Sequence, residues 1–434
     1  MFRVVFRRSV CSVYLLRTYL HINGQFGPFE QDFSYVNVRE GAHMFYWLFY
    51  TTAPVANYTE RPLVVWLQGG PGGSSTGIGN FEILGPLDLS LQERNYTWVK
   101  NFNVLFVDNP VGTGFSYVDD LSYLTRTNDE IALDFVELMR GFYTNHTEFE
   151  GVPLYIYGQS YGGKMAIDME QAGTIRSALK GIAMGNAWIS PVDATLTWGP
   201  LLLAAGLVDQ DGYEDIQTEA REAERLFNEG QYWESTAQWA RTQQAVFRGT
   251  TSVDFYNILT KMTAPNSIPD TTRNAYGKIV KRHDDPQSPI HDVFEALDIP
   301  DHVTWGAQSN AVFDYLRTDF MKPVTDVEKL LNETDIILTK YNGNLDLICD
   351  TPGQILWVDR LKWAGAEGYK NATRNPIWED NRLEGYYKSY GNFRFFWINV
   401  AGHSPMSPED SVASQHFGAY SLQSNKVFLF IILV

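Results

Sequence analysis

Apolar residues in this chain fall in short continuous runs more often than in alternation. Residues 44–50, 63–67, 104–108, 154–157, 181–184, 335–340 and 395–400 are each of strand length and largely apolar, the pattern of strands buried on both faces of a sheet. Between them lie segments of helical period, such as 129–140. That alternation predicts an α/β fold with a mostly parallel central sheet flanked by helices. From about 190 to 308 the pattern changes, because 214–227 and 232–247 are charged and amphipathic while 265–285 is irregular. We read 190–308 as a helical cap inserted into a core formed by 26–189 and 309–420. Residues 1–25 and the apolar tail 421–434 stay unassigned, and no repeat or low-complexity tract is visible.

The most informative short pattern is Gly158-Gln159-Ser160-Tyr161-Gly162, which follows the run LYIY and precedes helix formers. Strand, sharp turn and helix form the context of a nucleophile elbow, so Ser160 is the candidate nucleophile. Glycines flank such a serine because a Cβ on either side would collide with neighbouring backbone. Gly73-Ser74-Ser75-Thr76-Gly77 also fits the pattern, but Gly79, Asn80 and a loop-like stretch follow it, so we set Ser75 aside.

A serine hydroxyl needs a histidine base and an acid that orients it. In the α/β-hydrolase arrangement both follow the serine, acid first. Of eight histidines, five come after Ser160: His283, His291, His302, His403 and His416. His283, His291 and His302 lie in a polar stretch that reads as solvated surface, whereas His403 follows the run 394–400 and the turn Ala401-Gly402. Asp346 sits just beyond the run 335–340; Asp335 would lie at the wrong end of that strand, and Asp350 is the rival. The order Ser160, Asp346, His403 places each group on a loop after a strand, where open α/β sheets carry their sites.

Upstream, 63–67 empties into Gln68-Gly69-Gly70-Pro71-Gly72-Gly73. Bare backbone there suits an oxyanion hole, and the expected donors are the amides of Gly70 and of Tyr161, the residue after the nucleophile. A phosphate loop is a poor alternative, since no Gly-Lys-Ser/Thr ending or Rossmann spacing is present.

Five blocks in order, WLQGGPGGSS, NVLFVDNPVGTGFSY, YGQSYGGK, YNGNLDLICDT and FWINVAGH, resemble the successive signatures of the serine carboxypeptidase family, nearest its retinoid-inducible branch. The resemblance runs from about residue 33 to 408. It implies an α/β-hydrolase fold and a lysosomal or secreted glycoprotein that removes C-terminal residues from peptides through an acyl-enzyme intermediate, without a cofactor or metal. It also implies a subsite for the substrate's terminal carboxylate, here Gln68, Gln159 and Trp66.

The chain departs from the family where that carboxylate is bound. Two glutamates that share a proton in the family are replaced by Gln159 and Ile83, although Glu82 is adjacent. An amide keeps a donor but does not titrate, so activity is expected to be less confined to acid pH. Ser404-Pro405-Met406 replaces the usual Met-Val-Pro after the histidine, and the helix behind Ser160 is cut short by Gly173. An esterase or acyltransferase with the same triad, or an impaired homologue acting by binding, are the alternatives these departures raise.

Composition agrees with the class. A net charge of −17 and pI near 4.9 argue against nucleic acid or anionic membrane as partner; oligomeric state is not legible. The two cysteines are Cys11 and Cys349, and we read Cys349 as a small buried hydrophobe. Sequons at Asn57, Asn95, Asn145, Asn332 and Asn371, in stretches that read as polar loops, favour a luminal or secreted route. Arg3, Arg7, Arg8 and Arg17 interrupt every apolar stretch of the N-terminus, which makes a poor secretory signal and reads as a truncated first exon or a presequence. The tail 427–434 is too short to span a bilayer, which takes about 20 residues.

Overall fold

The structure is a computed structural model and describes residues 27–168, 177–260, 297, 299–300, 302–303, 305–379 and 381–406. Our readings of both termini, of residues 261–296 and of the segment around Gly173 therefore lie outside the described residues, as do His283, His291 and His416.

All seven predicted strands are present, with ends shifted by a few residues. They are β2 (Ala42–Phe49), β3 (Leu63–Leu67), β4 (Asn103–Val107), β6 (Pro153–Gln159), β7 (Ala178–Gly185), β8 (Ile337–Gly343) and β11 (Phe393–Ile398). With β1 (Gln31–Arg39), β5 (Tyr117–Val118), β9 (Asn375–Glu379) and β10 (Arg382–Tyr390) they form an eleven-stranded sheet of order β1-β2-β4-β3-β6-β7-β8-β11-β10-β9, with β5 on β2. The centre, from β4 to β11, is parallel, and the outer pairs are antiparallel. Every residue of β3 and β4 is buried, as continuous apolar runs require of a sheet covered on both faces. The periphery, β1, β5, β9 and β10, escaped the sequence reading, because its half-exposed residues mix polar and apolar types.

The α-helices pack into the core on one face of the sheet, and the helical segment Ser75–Leu84 packs into the core on the other. The segment read as 129–140 is α1 (Asn128–Asn145), capped by Thr127, with acidic Asp129 and Glu130 in its first turn, a favourable match to the helix dipole. Ile131, Phe135, Leu138, Met139 and Phe142 recur on one face and are buried in the core on one side of the sheet. The elbow helix is α2 (Tyr161–Asp168). Between β7 and β8 come α3 (Pro191–Ala204), α4 (Gln210–Asn228) and α5 (Tyr232–Thr250), so the amphipathic stretches read as a cap are helical. Short helices follow as α6 (Asn310–Tyr315), α7 (Arg317–Phe320) and α8 (Asp326–Glu333), then α9 (Thr351–Asp359) and α10 (Ala366–Asn371).

Two local expectations fail. Residues after the second Gly-x-Ser-x-Gly pattern form a π-helical segment, Ser75–Leu84, and not a loop; Ser74 caps it at the Gly77 amide while Ile78, Phe81, Ile83 and Leu84 are buried beneath it. The sequons are not all on loops either: Asn145 and Asn371 end α1 and α10, and Asn332 lies within α8, although all five asparagines are exposed. Among the described residues no helix is long and apolar enough to cross a membrane.

Candidate active site

Ser160, Asp346 and His403 lie just past the C-terminal ends of β6, β8 and β11, and the parallel register of these strands puts those ends on one rim of the sheet. At the elbow Ser160 has φ of 58°, the strained left-handed backbone that projects a nucleophile above the sheet. Its amide donates to Gly185 O at 2.9 Å, and its carbonyl accepts from Gly163 and Trp188 at 3.0 and 2.9 Å. The flanking glycines are steric necessities: a Cβ on Gly158 would meet Gly162 O at 2.1 Å, and one on Gly162 would meet Leu67 O at 2.2 Å.

Short as the described helix is, α2 is well tied down. Lys164 Nζ donates to the carbonyls of Asp319 and Lys322 at 2.6 and 3.0 Å and pairs with the Asp319 carboxylate at 3.0 Å. Tyr161 Oη donates to the same carboxylate at 3.2 Å. These buried, charge-assisted contacts supply support from α7 and the turn after it.

Asp346 and His403, both buried, meet each other. His403 Nδ1 lies 2.9 Å from Asp346 Oδ2, a contact that fixes the tautomer with the proton on Nδ1 and leaves Nε2 as acceptor. Asn186 Nδ2 donates to the same carboxylate oxygen at 2.7 Å, and Asn186 Oδ1 accepts from the Gly343 amide at 3.2 Å. The His403 amide donates to Tyr256 O at 2.7 Å, and the Tyr256 ring meets the imidazole edge to face at 5.0 Å. Asp350, the rival acid, instead caps α9 through the Gly353 amide and accepts from Thr197.

Cys349 is buried, as expected, but it is more than filler. The ligand atoms of Asp346, Cys349 and His403 lie within 4.8 Å of one another. Burial, with Asp346 second, pushes the thiol's pKa well up, so it remains a thiol and a poor metal ligand. Sequence inspection found no ligand cluster here because these residues converge only through the fold.

The glycine-rich loop closes over Ser160. Gly69 approaches so closely that a Cβ on it would stand 2.6 Å from Ser160 Cβ and 2.9 Å from the Tyr161 nitrogen. Gly70 has φ of 117°, a conformation that L side chains avoid. The loop is held by Gln308, whose Nε2 donates to Pro71 O at 2.7 Å, and by buried Asp108. That carboxylate accepts from Ser74 Oγ, Thr76 N, Thr76 Oγ1 and Phe115 N at 2.7–3.0 Å. Asp108 and Asn186 were missed by the sequence reading; Asp108, an acid directly after a buried strand, is the one that left a signal. Ser75 is buried with its Oγ accepting from the Gln68 amide at 2.9 Å, a structural role.

The three residues read as a carboxylate subsite form one hydrogen-bonded chain. Trp66 Nε1 donates to Gln68 Oε1 at 3.0 Å, Gln68 Nε2 to Gln159 Oε1 at 3.1 Å, and Gln159 Nε2 to His403 O at 2.8 Å and Ser404 Oγ at 2.6 Å. Its polarity is unambiguous, because an indole N–H can only donate and a peptide carbonyl can only accept. Both Gln159 N–H groups are therefore engaged within the protein, and Gln68 keeps one beyond the chain. Ile83 is buried in the aromatic core on that side of the sheet.

Residues 22–420 match the profile of the serine carboxypeptidase family. The chain is 43% identical over 402 residues to the retinoid-inducible serine carboxypeptidase of Rattus norvegicus, covering 88% of each chain. It is 36% identical to serine carboxypeptidase-like 51 of Arabidopsis thaliana, covering 90% of this chain and 91% of that one. Among solved structures, a prohormone-processing carboxypeptidase from Saccharomyces cerevisiae superimposes with a TM-score of 0.75 over 89% of each chain at 22% identity, which shows a shared α/β-hydrolase fold.

Proposed function

Given that the chain belongs to the serine carboxypeptidase family and is a serine-type carboxypeptidase, we propose that Ser160, His403 and Asp346 carry the reaction on the C-termini of peptides or proteins. Ser160 Oγ attacks the last peptide carbonyl and passes its proton to His403 Nε2, while Asp346 holds the resulting imidazolium. The oxyanion is received by the amides of Gly70 and Tyr161, the latter at the N-terminal end of α2, where helix amides point outward. His403 then protonates the departing amine, the C–N bond breaks, and water attacks the acyl-enzyme with His403 again as base. The observation that carries this reading is the buried 2.9 Å contact between His403 and Asp346 beside an elbow serine at positive φ.

The terminal carboxylate is met by Gln68 Nε2, oriented by Trp66 and Gln159. A chain of amides has no proton to lose, so affinity for the carboxylate holds through neutral pH. Five exposed sequons support passage through the secretory lumen, to a lysosomal or secreted destination.

The test is a fluorophosphonate probe titrated across pH against wild type and Ser160→Ala, followed by hydrolysis of a peptide with a free or an amidated C-terminus. We expect labelling that the substitution abolishes, and preference for the free acid. Labelling that survives in Ser160→Ala overturns the assignment.

A further inference from the structure

The peptide unit between Ser160 and Tyr161 carries one of the two amides assigned above to the oxyanion, and a single short helix, α7, holds it from both ends. A planar trans peptide points its N–H opposite to its C=O, so whatever fixes the Ser160 carbonyl also aims the Tyr161 amide. That carbonyl accepts from Trp188 N at 2.9 Å, and the Trp188 indole in turn donates to Phe320 O of α7 at 3.1 Å. At the other end the Tyr161 side chain is gripped three times. Its hydroxyl donates to Asp319 Oδ2 at 3.2 Å, its ring stacks on Phe320 with centroids 6.1 Å apart and planes inclined at 3°, and Lys164 Nζ lies 5.2 Å from its centroid.

Lys164, one turn along α2 from Tyr161, completes the arrangement. An ammonium has three protons, and Asp319 O, Lys322 O and Asp319 Oδ2 lie within reach at 2.6, 3.0 and 3.0 Å. Tyr161, Lys164 and Asp319 are all buried. A buried ion pair is a weak device for stability, since packed apolar side chains of similar volume often do as well; what it can add is a fixed position. From its far side α7 is clamped by α5, where Thr236 Oγ1 donates to Arg317 O at 2.7 Å and the Trp239 ring meets Phe320 edge to face at 4.8 Å. Contacts thus run unbroken from α5 through α7 to the peptide unit beside the elbow serine.

We propose that Asp319 is a positioning residue for the reaction, anchoring the Tyr161 side chain so that the Tyr161 amide points at the developing oxyanion. The proposal rests on the triad and oxyanion reading. Asp319 acts through Tyr161 and Lys164 and not on the substrate. The charge on the oxygen develops only in the transition state, so a donor that drifts off its line weakens the transition state and spares the ground state. Loosening Asp319 is therefore expected to lower kcat and leave KM.

The experiment measures kcat and KM, with inhibition by a peptide aldehyde and by the matching peptide alcohol, for wild type, Asp319→Ala and Tyr161→Phe. Ser160 Oγ adds to the aldehyde carbon, its proton passes to His403, and the former carbonyl oxygen becomes an oxyanion between the amides; the alcohol binds without that bond. In Asp319→Ala kcat is expected to fall roughly tenfold to hundredfold, less than for a deleted donor, with KM changed less than about twofold. Aldehyde affinity should fall in step, and alcohol affinity should not. Equal weakening of aldehyde and alcohol, a change confined to KM, or wild-type behaviour throughout overturns the proposal. Should Asp319→Ala fail to fold, Tyr161→Phe decides, because it deletes only the hydroxyl that Asp319 holds. Loss of aldehyde affinity with the alcohol unaffected supports the anchor, and wild-type affinity for both refutes it. Fluorophosphonate labelling of Ser160→Ala, run alongside, separates the two ideas: persistent labelling sinks the triad, whereas lost labelling with no selective loss of the aldehyde sinks only Asp319.

Discussion

The two sides of His403 are built from different chemistry. On the side proposed to meet the substrate's carboxylate runs the chain Trp66, Gln68, Gln159, Ser404, in which every group is neutral and none titrates in the working range. Behind the imidazole lie Asp346, Cys349, Asp350, Asp254 and Lys340, all buried and all ionisable. Amides in a hydrogen-bonded line give geometry without pH dependence. Buried ionisable groups give the reverse, since each costs desolvation and shifts its neighbours. On the proposed reading, the pH response comes from the buried ionisable groups and not from the amide chain.

The most severe way to break the comparison is to remove the point where the sides meet. Ser160→Ala is expected to lower kcat by about 10⁶, leaving only the oxyanion hole and binding to act, as single-turnover hydrolysis will report. Next in size is Asn186→Ala, which strips a 2.7 Å donor from the Asp346 carboxylate. Loss of a hydrogen bond to a buried charge, about 1.5–3 kcal/mol, predicts a roughly tenfold to hundredfold fall in kcat with KM little changed.

Gln159→Glu sharpens the contrast from the substrate side. A glutamate there faces the His403 carbonyl and donates to it only when protonated. The variant should therefore keep activity in acid and lose roughly tenfold towards neutral pH, where the wild type stays flat. A wild-type profile that already falls steeply on the alkaline side in the acid range contradicts the account of the amide chain.

The last expected effect is on stability and leaves turnover aside. The folded pKa of Lys340, about 7, lies below the unfolded value near 10.4. Between those values the unfolded chain holds a proton that the folded chain has released, so stability rises with pH through that window and the penalty is complete below about pH 7. Lys340→Met should therefore raise the free energy of unfolding, and with it Tm, by on the order of 4 kcal/mol of stability at pH 6 before repacking costs, with the gain shrinking towards pH 10. Thermal melts across that range check the sign.

Much of this was legible in the chain itself. Continuous apolar runs marked every central strand, because a strand covered on both faces must be apolar throughout. The elbow, the order Ser160, Asp346, His403 and the glycine loop were readable because their chemistry is local: a turn, a strand end, a bare backbone. Edge strands β9 and β10 were not, since half-exposed positions carry no clean period, and neither was the π-helical segment, whose burial against the sheet overrides its loop-like composition.

Tertiary structure alone decided the rest. Sequence showed that Gln159 had replaced an acid, but only the fold revealed that both of its N–H groups are taken up by the loop after β11. It placed Asn186 under Asp346, 160 residues away in sequence, and Cys349 beside Asp346 and His403. Lys340 reads in the chain as an ordinary strand-end lysine. Its meaning arises from desolvation, a property of everything packed around a side chain and not of the residue, which is why no reading of the sequence by itself supplied it.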